Sequence, residues 1–66
     1  MDRVTKAIRN RIEERGEEIA TVAQRASMKP DELIRALDGE RSLKAEEFLR
    51  LCQALGLDLE DFKETA

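Results

Sequence analysis

The chain predicts an all-α fold, a compact bundle of five helices, and three observations carry that expectation. Apolar residues recur every three or four positions in separate blocks, the spacing that stacks side chains on one face of an α-helix. The three glycines, Gly16, Gly39 and Gly56, each fall where such a block ends, which is where helices commonly close. Tyr and Trp are absent and only Phe48 and Phe62 are aromatic, a poor supply of strand-forming residues.

Val4, Ile8 and Ile12 recur at steps of four and predict a first helix from about Arg3 to Arg15, with Asp2 as its N-cap and Gly16 as its stop. Within it "RNRIEERG", Arg9 to Gly16, reads as a solvated, charge-dense face. Arg9 and Glu13 form an attractive neighbour pair there, and Arg11 and Arg15 a repulsive one. Ile19, Val22, Ala23 and Ala26 follow at i, i+3, i+4, i+7, a stripe of mostly small residues that lets another helix come close. After the turn Ser27-Met28-Lys29, Pro30 suits the first position of a third helix, because the amide it lacks would have no partner there. Leu33, Ala36 and Leu37 face inward, and Gly39 closes that helix. A fourth helix runs from about Lys44 to Leu55, with Phe48, Leu51, Cys52 and Leu55 as its inner face and Gly56 as its end. Asp58 and Asp61 resemble a capping box at the start of a short last helix holding Leu59 and Phe62. The predicted core is Ile8, Ile12, Val22, Ala23, Leu33, Leu37, Phe48, Leu51, Cys52 and Leu55.

Sixty-six residues make a single domain, 1–66, and a chain this short buries only about 60% of the surface it exposes when unfolded. The net charge is -3, from 12 basic and 15 acidic residues, so any attraction to a polyanion must be local. Residues 1–15 hold five bases and three acids, residues 16–42 four and six, and residues 43–66 three and six. Cys52 is the only cysteine and there is no histidine. A lone thiol without imidazole leaves the usual transition-metal and triad constellations unbuilt, so a non-enzyme with no cofactor and no metal is expected. The charged N-terminus and the shortness of the longest uncharged run, Leu51 to Leu57, predict no membrane span and a soluble, cytoplasmic protein.

Asp31-Glu32 and Glu46-Glu47 both open a helix. Carboxylates there oppose the positive end of the macrodipole, typically by about 0.3–1 kcal/mol each. A helix-start role is therefore one reading of Asp31 and Glu32.

The segments "IRNRIEERG", "VAQRASM", "LIRALDGER" and "EEFLRLCQALGLDLEDF", spread from Ile8 to Phe62, together resemble the phage repressor (Cro/CI-type) helix-turn-helix domains. The resemblance implies a lambda-repressor-like arrangement with helices 2 and 3 as the helix-turn-helix. It also implies a repressor-like transcriptional regulator that binds double-stranded DNA in a sequence-specific way, third helix in the major groove, as a homodimer. Carried over by position, the DNA contacts fall on Lys29, Pro30, Asp31, Ile34, Arg35, Arg41 and Lys44, with Arg25 nearby. Arg35 becomes the main base or phosphate contact, Lys29 and Arg41 phosphate clamps, and Asp31 and Ile34 secondary discriminators. The chain departs from the family at Glu18-Ile19, where the family often has a polar pair, at Lys29, where it often has Ser or Thr, and at Ile34, where it has a polar residue.

Two expectations about partners complete the reading. Leu57, Leu59 and Phe62 gather at the C-terminal end and form the expected dimer interface. The acidic balance, with Ile34, Met28 and Ile19 as a small apolar patch, supports an alternative: a protein-interaction module that keeps the scaffold, has lost DNA binding and docks another regulator protein.

Overall fold

The computed structural model describes residues 3–62, and its helices follow the apolar blocks. α1 spans Arg3–Arg15, α2 Ile19–Arg25, α3 Pro30–Leu37 and α4 Ala45–Leu55. No strand occurs among the described residues. The expected fifth helix is instead a single turn of 3-10 helix, Leu59–Phe62, so the described fold has four α-helices. Two aspartates tie that turn to itself: Asp61 Oδ2 accepts the Asp58 N–H and Asp58 Oδ1 accepts the Glu60 N–H, each at 2.9 Å. Asp2, the expected cap of α1, lies outside the described residues.

Two helices begin on lysine, a residue with no acceptor to offer the exposed amides. Lys29 takes an extended conformation, φ -77°, ψ 147°, because the ring of Pro30 disfavours helical angles in the residue before it. The first-turn glutamates supply the missing acceptors. Glu32 Oε1 accepts the Lys29 N–H at 2.8 Å, and Glu47 Oε1 accepts the Lys44 N–H at 2.9 Å. The helix-start reading of Glu32 is thus what the geometry shows, while Asp31 points to solvent.

α1, α3 and α4 close at Gly16, Gly39 and Gly56, all at positive φ, and α2 closes at Ser27, φ 57°. A residue with a Cβ gives up roughly 1–2 kcal/mol in that conformation. Ser27 is held there by the pair of bonds that ends the helix, Ser27 N–H to Gln24 O at 3.1 Å and Met28 N–H to Ala23 O at 2.8 Å. The same bonds turn Met28 inward, and it is buried in the core. The expected exposed patch of Met28, Ile34 and Ile19 is therefore corrected: Met28 is interior and Ile19 is half-buried against the core.

Ile8, Leu33, Leu51, Leu55 and Val22 are the largest fully buried side chains. Ala23 and Ala26 are fully buried too, and their small volume lets α2 lie against both α3 and α4 while α1 closes the other side of the same pair. Phe48 and Cys52, both expected inside, stand half-buried at the edge of the core. Phe48 sits against Phe62 with ring centroids 5.3 Å apart and planes tilted by 53°, a favourable aromatic geometry. Both rings remain partly in solvent because they lie at the rim of the core.

Three arginines of α1, Arg9, Arg11 and Arg15, bond to distant parts of the chain, while Asn10, Glu13 and Glu14 of "RNRIEERG" are exposed as expected of a solvated face. Arg9 reaches across to the C-terminal end of α3, donating to Leu37 O at 2.6 Å and to Asp38 Oδ1 at 3.1 Å. Arg11 and Arg15 both donate to Leu55 O, each at 3.0 Å. α4 carries no base in its own last turn, so these two cations from another helix meet its negative end. Their mutual repulsion is offset by acids: Arg11 pairs with Asp61 at 2.9 Å and Glu14 at 3.4 Å, and Arg15 pairs with Glu17 at 3.0 Å. Glu17 also pairs with Arg25 at 2.7 Å, which ties the start of α2 to its end.

Candidate nucleic-acid interface

α3 is anchored by Leu33, Ala36 and Leu37, which are buried, and turns Pro30, Asp31, Ile34 and Arg35 to solvent. These four residues share one face because they recur at i, i+1, i+4 and i+5, about one helical turn apart. Lys29 caps that helix and is exposed, as is Lys44, the cap of α4. The sequence-predicted positions thus form a strip along α3, with Lys44 on the α3–α4 connection.

Ion pairing sorts the cations. Arg9, Arg11, Arg15, Arg25, Arg41 and Arg50 are all committed to carboxylates of the chain itself. Lys29, Arg35 and Lys44, together with Lys6 on α1, enter no ion pair among the described residues. Of these four uncommitted cations, Lys29 caps α3, Arg35 lies on its exposed face and Lys44 caps α4. Arg25, expected nearby as a helper, is held by Glu17.

Arg41, expected as a phosphate clamp, is paired within the chain. It is mostly buried and forms a two-pronged pair with Glu47, Nη1 to Oε1 at 3.2 Å and Nη2 to Oε2 at 3.3 Å. Its guanidinium holds the α3–α4 connection onto the first turn of α4. The sequence signal was present in part, since Glu47 is the third residue of a helix capped by Lys44, but a pair six residues apart through a loop has no periodic signature.

Glu47 consequently titrates below the usual glutamate range, first because it accepts the Lys44 backbone N–H and then because Arg41 faces it, with burial opposing both. A carboxylate whose folded pKa is depressed contributes stability above its unfolded pKa, near 4.3, and loses it as pH falls through the lower folded value. Glu47→Gln keeps an acceptor for Lys44 but removes the charge. Urea midpoints should therefore show the variant less stable than the parent at about pH 7, with the gap narrowing as the pH falls below about 4. A gap that does not narrow would contradict this role.

The other predicted sites separate from the strip. Leu57 is buried in the chain's own core, and Phe62 is half-buried against Phe48, so most of the apolar area expected at a dimer interface is already covered within one chain. The side chain of Leu59 lies outside the described residues. Cys52 is half-buried, and burial, with Asp61 nearby, pushes its thiol above the ordinary value, which makes it a weak nucleophile. Among the described residues, no three His, Cys, Asp or Glu side chains come together as a metal site, and no helix is long and apolar enough to cross a membrane.

Comparison with protein families, with curated proteins and with solved structures finds no match to this chain.

Proposed function

We propose that the chain is a sequence-specific, duplex-DNA-binding transcriptional regulator without catalytic activity, which presents α3 to the major groove and uses α2 and α3 as a helix-turn-helix. The observation that carries this reading is the sorting of charge. An acidic chain that neutralises six arginines internally leaves Lys29 and Arg35 uncommitted at the start and on the exposed face of α3, and Lys44 uncommitted at the start of α4. Phosphate attraction is local and additive in such cations. The resemblance to the phage repressor domains supports the same face. Arg35 stands at mid-helix as the base or phosphate contact, and Lys29 and Lys44 serve as phosphate contacts at two helix starts.

Asp31, Glu18 and Glu40 are also exposed on α3 or its neighbouring segments, and they weaken non-specific attraction to phosphate. Binding should consequently be salt-sensitive and poor on unrelated sequences. Replacing Arg35 by Ala should cost about 1–3 kcal/mol if it reads a base, or flatten the salt dependence by about one unit of slope if it holds a phosphate. A mobility-shift titration at two salt concentrations measures both, and an Arg35→Ala variant that binds like the parent in each contradicts the assignment.

The second reading, a protein-docking module, rests on Ile34, which is 45% exposed on the same face. With Met28 interior and Ile19 half-buried, that patch shrinks toward a single side chain, and an isolated exposed apolar residue is ordinary.

A further inference from the structure

The exposed face of α3 offers an acceptor, an apolar group and a donor, and the structure shows which residues are left to play those parts. Glu32 is occupied by the Lys29 amide, Asp38 by Arg9 and Arg41 by Glu47. Pro30 has no amide hydrogen and no polar side chain. Asp31, Ile34 and Arg35 remain exposed, and neither Asp31 nor Arg35 has an ion-pair partner among the described residues. Although Asp31 and Arg35 stand one turn apart, they do not pair with each other.

Resting on the DNA-binding reading above, we infer that these three residues set the preferred sequence. Asp31 accepts a hydrogen bond from cytosine N4, Ile34 packs on a thymine methyl, and Arg35 donates to guanine O6 and N7. An ionised carboxylate accepts and cannot donate, so it favours the cytosine amino group and repels the acceptor atoms that guanine and thymine present in the major groove. Arginine has the opposite character and matches the paired acceptors of guanine. The four-residue step from Asp31 to Arg35 advances about 6 Å along α3, close to two base-pair steps of about 3.4 Å. The cytosine and the guanine, on either strand, therefore lie about two steps apart, with the thymine beside the guanine.

The test is enrichment of bound duplexes from a randomised library at low salt, run in parallel with the parent, Asp31→Asn and Ile34→Ala, after circular dichroism has shown that both variants keep the parent's helicity. An asparagine amide both donates and accepts, which suits adenine N6 and N7. Asp31→Asn should exchange cytosine for adenine at one position by about tenfold or more and leave the rest of the enriched sequence unchanged. Ile34→Ala should lose the thymine preference at a neighbouring position, by a few-fold. If the parent enriches a sequence and Asp31→Asn enriches the same one, this assignment is overturned while the DNA-binding reading stands. If the parent binds all duplexes alike, this assignment and the sequence specificity of that reading both fail while DNA binding itself stands. If the parent retains no duplex even at low salt, the DNA-binding reading itself fails, and the assignment with it.

Discussion

Leu51→Ala should leave much of the protein unfolded at room temperature. Leu51 is fully buried on α4 among Ile8, Val22, Leu33 and Leu55, and removing a buried leucine typically costs about 2–5 kcal/mol because the cavity it leaves closes only in part. At about 0.05–0.15 kcal/mol per residue, a chain of this length has only roughly 3–10 kcal/mol to lose. Two residues earlier, Leu49 is 60% exposed, and Leu49→Ala should shift stability by no more than about 0.5 kcal/mol. Far-UV circular dichroism through a urea titration compares the pair directly. If Leu51→Ala unfolds at the parent's midpoint, the core is not where the structure has it.

Arg11→Met should come next in size, at about 1–2 kcal/mol, although the residue reads in the sequence as one more charge on a helix surface. The methionine keeps an apolar stem, so the change isolates the guanidinium. That group donates to Leu55 O at 3.0 Å, to Gly56 O at 3.3 Å and to Asp61 Oδ1 at 2.9 Å. Hydrogen bonds to charged groups contribute about 1.5–3 kcal/mol. The lower figure applies here because the side chain is a quarter exposed and Arg15 still holds the Leu55 carbonyl. Arg50→Met is the control, since its pair with Glu46, at 3.4 Å on an exposed helix face, should contribute only about 0.3–0.5 kcal/mol. Equal losses in the two variants, measured by urea unfolding, would show that Arg11 is only a surface ion.

The comparison of these arginines shows where the sequence is legible. Helical period and chain terminators are local signals, so α1 and α3, the glycine ends and the inward positions Ile8, Leu33, Leu51 and Leu55 follow directly from spacing. What arginine does at the far end of its side chain is not local. Arg9 meets a residue 29 positions away and Arg11 one 50 positions away, and neither distance leaves any period to read. Short-range neighbours misled for the same reason: Arg11 and Arg15 look repulsive along α1, yet they converge on one carbonyl of α4.

Residues near the end of an amphipathic pattern were the other source of difference. Met28 follows α2 in a segment without helical period, and its burial depends on the left-handed turn at Ser27, a residue that gives little notice of that conformation. Phe48 and Cys52 keep the inward spacing of Leu51 and Leu55 but lie at the edge of a small core, where little remains to cover them. Of the candidate interface, Pro30, Asp31, Ile34 and Arg35 came from the resemblance to the phage repressor domains, and their exposure fits the inward spacing of Leu33, Ala36 and Leu37. The commitment of Arg41 to Glu47 was not legible in the sequence, because it depends on the path of the α3–α4 connection.

The salt dependence of duplex-DNA affinity bears most directly on the central claim, that the uncommitted cations Lys29, Arg35 and Lys44 engage a phosphate backbone. With two or three such contacts per chain, the logarithm of affinity should fall linearly with the logarithm of salt concentration, at a slope of about -2 to -3, and Lys29→Ala and Lys44→Ala should each reduce that slope by about one. Neutralising the strip with Asp31→Asn and Glu32→Gln, which leaves glutamine able to cap Lys29, should tighten binding to unrelated duplexes. No detectable binding at low salt by either the parent or this neutralised variant would contradict the account, and would leave α3 as a surface for protein contacts.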